Sequence, residues 1–220
     1  MLISDQRIPE KPSLEIGADV LQRRPDLAMG LSLSIALWAN IEARLDSIFL
    51  LCTRDESGLA SFQMKRGWDA RAKFLHRTIR DTQGEDAGKE IRAILRAVAG
   101  PAKKRHEVAH GIWGICAELP HDLILIDNSD FLDMARQAIR AESANVTEMR
   151  FDPTLMHETA RVVSISHLEC LYRELSEAVS IIHAFMIEKM PRVVHVFGRD
   201  KILPAKCHPL VASRLFDTQA

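Results

Sequence analysis

The chain has 220 residues, 47% hydrophobic and 27% charged, enough for a sizeable core and too apolar for a disordered chain. Its 29 lysines and arginines nearly cancel 30 aspartates and glutamates, which excludes a polycationic coat and leaves any nucleic-acid surface as a local patch. The 4 cysteines are scattered without a C-x-x-C, which excludes a disulfide framework or zinc ribbon and points to a reducing, cytoplasmic setting.

Residues 1–27 carry Pro9, Pro12, Gly17 and Pro25 and read as an irregular lead-in without a signal-peptide layout. From Leu31 to Cys52, the residues Leu31, Ile35, Trp38, Ile41, Leu45, Ile48 and Phe49 recur at helical spacing and predict one long amphipathic helix. Its apolar stretch is stopped by Glu42, Arg44 and Asp46, short of a membrane span, so no membrane partner is expected. Two shorter helices follow, one opening at Ser57-Gly58 and one over Asp69–Ile79, before Thr82-Gln83-Gly84 breaks the pattern. Ile91, Ile94, Leu95 and Val98 mark a further helix. Gly100-Pro101 should kink or restart it, and Gly111 should end it.

Beyond Gly111, Gly114–Leu119 and His121–Asp127 read as a hairpin turning at Pro120. Phe131–Ala141 suits a helix and Asn145–Phe151 a third strand. Ser166–Met190 is strongly helical, with Ser166 and Glu169 spaced as a capping box. The fold class is therefore mainly α with a small β-hairpin after the motif helix. The domain proper spans residues 28–190, and a proline-bearing tail covers 191–220.

Chemistry concentrates in Pro101–Gly114, where two patterns overlap. From His106 the chain reads H-E-x-x-H. His106 and His110, one turn apart, could chelate zinc while Glu107 activates a bound water. Lys104 stands where extended zinc-protease patterns want an uncharged residue. Trp113 stands where one subgroup has glycine, and no third histidine follows at the required spacing. From Arg105 the chain reads R-x4-H, a pattern expected by chance roughly once in every one or two such chains, so only its context gives it weight.

That context resembles a family. Arg105-His-Glu-Val-Ala-His-Gly-Ile-Trp113 is similar to the R-N/H-x-x-A-H-G-x-W stretch of many bacterial HEPN-like proteins, and Trp38–Leu45 resembles their long first helix. The resemblance covers about residues 30–190 and implies a HEPN-like helical bundle. It also implies a metal-independent endoribonuclease with no cofactor, RNA as substrate, and a toxin–antitoxin or phage-defence role with an antitoxin protein as candidate partner. Arg105, His110 and His106 would be the catalytic residues. Histidine suits proton transfer near neutrality, and arginine suits charge stabilisation on a phosphorane. Lys103 and Lys104, with Arg92 and Arg96, could hold the RNA backbone.

Residues five apart lie about 140° apart on a helix, so one copy converges poorly on one phosphate. The resemblance answers this with a homodimer whose active site is composite. The alternatives are a non-catalytic HEPN-like dimeric binding module and a zinc-dependent hydrolase using His106, Glu107 and His110. Glu42 is a candidate to orient Arg105 or His110. Trp38 and Trp113 read as core.

Overall fold

The computed structural model describes residues 8–9, 12–143, 159–189 and 204–216. The fold is mainly α with one small antiparallel sheet. The chain divides into two units, residues 1–35 with 103–172 and residues 36–102 with 173–220. The divisions fall inside three helices: α1 (Pro25–Thr53), α4 (Glu85–His110) and α6 (Ile165–Lys189). Among the described residues no helix is long and apolar enough to cross a membrane.

The first unit is built on a four-stranded sheet in the order β1 (Leu14–Ile16), β2 (Ile112–Cys116), β3 (Leu123–Ile126), β4 (Arg161–Val163), every pair antiparallel. The β2–β3 hairpin matches the sequence expectation, with Trp113 opposite Leu125 and its turn around Leu119 and Pro120. The Arg24 guanidinium donates to the Pro120 carbonyl at 3.1 Å. All four residues of β3 are buried, so both faces of this strand are covered. One face packs Ile124 and Ile126 with Ile8, Cys116 and Val162, and with Leu14, Ile112 and Phe131 at the margin.

Two strands lie outside the hairpin expectation. Residues 14–16, read as irregular, pair with β2, and Leu14 faces Cys116 across the ladder. A Cβ on Gly114 would come within 2.9 Å of the Glu15 carbonyl, so the missing side chain admits this strand. A 3-10 helix (Ala18–Arg23) then leads into α1, which begins at Pro25, in keeping with proline's place in a first helical turn. At the other edge stands β4. The strand expected at 145–151 lies outside the described residues. Helix α5 (Asn128–Ser143) follows β3 and starts three residues before the expected Phe131.

The second unit is helical. Its described elements are α1 from Ala36, α2 (Glu56–Gln63), α3 (Trp68–Gln83), α4 as far as Ala102, α6 from Arg173, a 3-10 turn (Ala205–Cys207) and α7 (Pro209–Phe216). Phe49, Phe62 and Phe74 stack with centroids 5.2 to 6.0 Å apart, and Trp38 meets Trp68 edge-on at 5.5 Å. Over Phe62, at 4.8 Å, lies the Arg71 guanidinium, which donates to Glu42 and Asp46 at 2.8 Å each. Asp55 caps α2 by accepting from the Gly58 amide. Gly84, at φ 91°, turns α3 into α4 in a single residue, where a side chain would be strained.

Of the two expectations at Pro101, a kink or a restart, the structure removes the second. No restart occurs, and the helix runs unbroken from Glu85 to His110 with the proline inside it. The cost is one hydrogen bond, at the Ala97 carbonyl. The expected cap of the last long helix is displaced by two residues. Ser164, not Ser166, precedes α6, and His167 stands where a capping box has glutamate. The Ser164 amide donates to His167 Nδ1 at 3.1 Å, and the Ser164 hydroxyl lies 2.8 Å from the same nitrogen. None of the 4 cysteines is in a disulfide, and burial pushes the Cys52 thiol up to about 11.

Candidate active site

The site belongs to the first unit and sits on the last turns of α4. Val108 is buried and sets the orientation of this segment. At about 100° per residue, His106 and His110 fall opposite Val108, while Arg105 and Glu107 flank it. Burial follows that geometry. Both histidines are exposed, and Arg105 and Glu107 are half-buried. The imidazole centroids of His106 and His110 stand 4.5 Å apart, tilted by 51°.

The helix ends where β2 must begin. The Gly111 amide donates to the Glu107 carbonyl at 2.9 Å, closing the last turn. A Cβ at Gly111 would overlap Leu125 Cδ1 and lie 2.9 Å from that same carbonyl. Glycine is needed because β3 runs against the helix end, and this close fit fixes His110 at the mouth of the sheet.

Glu107 is engaged by the sheet. Its carboxylate accepts from Arg161, on β4, at 2.9 Å, with the two side chains 13% and 31% exposed. The Arg161 charge also acts on two neighbouring acids. Asp127 is held below the usual carboxylate range, chiefly by hydrogen bonds from the Ser129 hydroxyl and amide, with smaller contributions from Arg161 and His106. Asp130 is pushed up by burial and by the charges of Asp127 and Asp133, against the opposing effect of Arg161. Arg161 therefore sits among three carboxylates beside the motif turn and ties α4 to the sheet.

Sequence reasoning missed Arg161. It lies 54 residues from Glu107 and carries no motif, so only the β3–β4 pairing, with Leu125 opposite Arg161, brings it to the helix.

Of the residues singled out in the sequence, Arg105, His106 and His110 share this turn, with exposed Lys103 and half-buried Lys104 just before it. Glu42 is committed to Arg71 at 2.8 Å, a structural ion pair in the second unit. Trp38 is core, as expected, and Trp113 is half-buried on β2. Arg92 and Arg96 belong to the second unit and line a separate cavity there. A zinc site would need a third donor beside His106 and His110. Among the described residues no three His, Cys, Asp or Glu side chains are grouped to hold a metal ion.

No protein-family model matches the chain, and neither a curated protein nor a solved structure matches it.

Proposed function

We propose that this protein is a metal-independent endoribonuclease of the HEPN type, acting in the cytoplasm as a homodimer. The observation that carries the proposal is the outward pair of imidazoles, His106 and His110, 4.5 Å apart on the turn that also bears Arg105. Two adjacent imidazoles can divide the proton work of transesterification. One takes the proton of an RNA 2′-hydroxyl as that oxygen attacks the neighbouring phosphorus. The other gives a proton to the departing 5′-oxygen. The products are a 2′,3′-cyclic phosphate and a 5′-hydroxyl. The Arg105 fork offers planar, permanently charged donors to the phosphorane oxygens. Lys103 and Lys104 would meet the flanking phosphates.

Arg105 and His110 diverge by about 140° around their helix, so a second copy supplies the converging arginine. The engagement of Glu107 by Arg161 supports this reading over a zinc hydrolase, in which that carboxylate must face a metal-bound water. Such a ribonuclease suits a toxin or phage-defence role, with an antitoxin protein as its natural partner.

The test is cleavage of a mixed RNA pool in excess EDTA by the wild type and by Arg105→Ala, His106→Ala and His110→Ala. The expected result is cleavage that persists in EDTA and leaves cyclic-phosphate ends. It should fall by about 10²–10⁴-fold in each of the three variants. A folded dimer that cleaves no RNA would replace the proposal with a non-catalytic binding module. Activity abolished by EDTA would replace it with a metal-dependent hydrolase.

A further inference from the structure

A second cluster lies apart from the ribonuclease chemistry, wholly within the second unit. His76 and Arg80, one turn apart on α3, face Lys89, Arg92 and Arg96 of α4, and Arg214 of α7 completes the lining of a cavity of about 130 Å³. Glu85 is the one carboxylate in that lining. Five permanent cations thus surround a space that holds one acid.

The helices are pressed together to make it. A Cβ on Gly88 would fall 2.7 Å from Arg80 Cβ and 3.1 Å from its Cα, so glycine at this crossing brings the next turn of α4, with Arg92, against α3. Outside the cavity, Arg80 meets Asp81 at 2.9 Å and Lys89 approaches Asp86 at 3.8 Å. Among the described residues, Arg92, Arg96 and Arg214 have no carboxylate partner. The net field is positive at the cavity wall, where His76 is held below its ordinary range by burial and by Arg92 and Arg80.

Like charges at this density destabilise a fold that does not use them. A ligand that offsets them must be small, multiply anionic and rich in acceptor oxygens. We propose that this cavity binds a diphosphate group. Two linked phosphates offer more charge and more acceptors than one, and arginine forks on separate helices can grip both. An RNA strand would need an open track, whereas this is a pocket lined by three helices. The same chemistry could arrive as free pyrophosphate or as the phosphate chain of a nucleotide.

Isothermal titration calorimetry on the full chain at low salt tests this, using pyrophosphate, ADP, orthophosphate and an oligoribonucleotide as titrants. Pyrophosphate should bind more tightly than orthophosphate. Each of Arg92→Gln, Arg96→Gln and Arg214→Gln should weaken it by roughly tenfold. ADP binding as well as pyrophosphate identifies a nucleotide source, and pyrophosphate alone identifies the free anion. Without ligand, all three variants should unfold at or above the wild-type temperature, because a like charge has been removed. The proposal is overturned if pyrophosphate gives no heat, if the variants bind it unchanged, if only the oligoribonucleotide binds, or if the three unliganded variants are destabilised.

Discussion

The aromatic core of the second unit holds its charges in fixed pairs, and the motif turn of the first leaves its imidazoles on display. Around Phe49, Phe62 and Phe74, the guanidinium laid over Phe62, Arg71, is spent on Glu42 and Asp46. Around the motif turn, Arg161 and Glu107 neutralise each other in a half-buried position while His106 and His110 stand in solvent. A buried pair specifies geometry. An exposed imidazole pair on a turn closed by Gly111 against β3 contributes little to stability and is available for proton transfer. Substitutions in the buried pairs and rings should unfold the protein, and those at the exposed imidazoles should only silence it.

The largest expected effect on stability lies in the second unit. Phe62 is fully buried and stacked on two rings, so Phe62→Ala should cost about 3–5 kcal/mol in urea denaturation. Cleavage per folded molecule should not change. A specific loss of turnover at unchanged stability would instead place Phe62 in the chemistry.

Glu107→Gln sharpens it from the other side. Arg161 would be left half-buried without its charge partner, at a cost of about 1–3 kcal/mol, and EDTA-resistant cleavage should persist below the melting point. Loss of turnover without loss of stability would instead assign Glu107 to the chemistry.

A smaller effect, about 1 kcal/mol, is expected for His167→Ala, which removes the acceptor of the Ser164 amide at the start of α6, and less for Ser166→Ala. Thermal melts of the two variants decide between the two caps. The smallest effect concerns pH. Asp127 has its folded pKa depressed by Ser129, so its contribution is present above its ordinary value near 3.8 and is lost as pH falls through the lower folded value. Ser129→Ala should flatten stability against pH below about 4, as read by acid titration of the folded fraction. An unchanged acid limb would count against the Ser129–Asp127 bond.

The long helices were legible because their apolar periodicity is local. Trp38, Ile41, Leu45 and Ile48 recur within one element and are buried together. The hairpin was legible for the same reason, being two adjacent runs with a turn between them. What escaped depends on distant partners. β1 is three residues long, exposes Glu15, and is a strand only because Gly114 makes room about a hundred residues later. Ser166 and Glu169 fit the capping pattern, yet Ser164 won because histidine at position 167 can accept its amide. The catalytic candidates came from one contiguous stretch. Neither the Arg161 anchor nor the arginine-lined cavity was readable, because each is assembled from separate elements.

A ribonuclease site completed by a second copy can be tested by mixing two inactive variants. Arg105→Ala and His110→Ala are unfolded together, refolded as a mixture, and assayed on RNA in EDTA. If arginine and histidine act from different copies, mixed dimers keep one intact site, and activity should return to about a quarter of wild type. A mixture as inactive as its parents, beside an active wild type, would contradict the composite site.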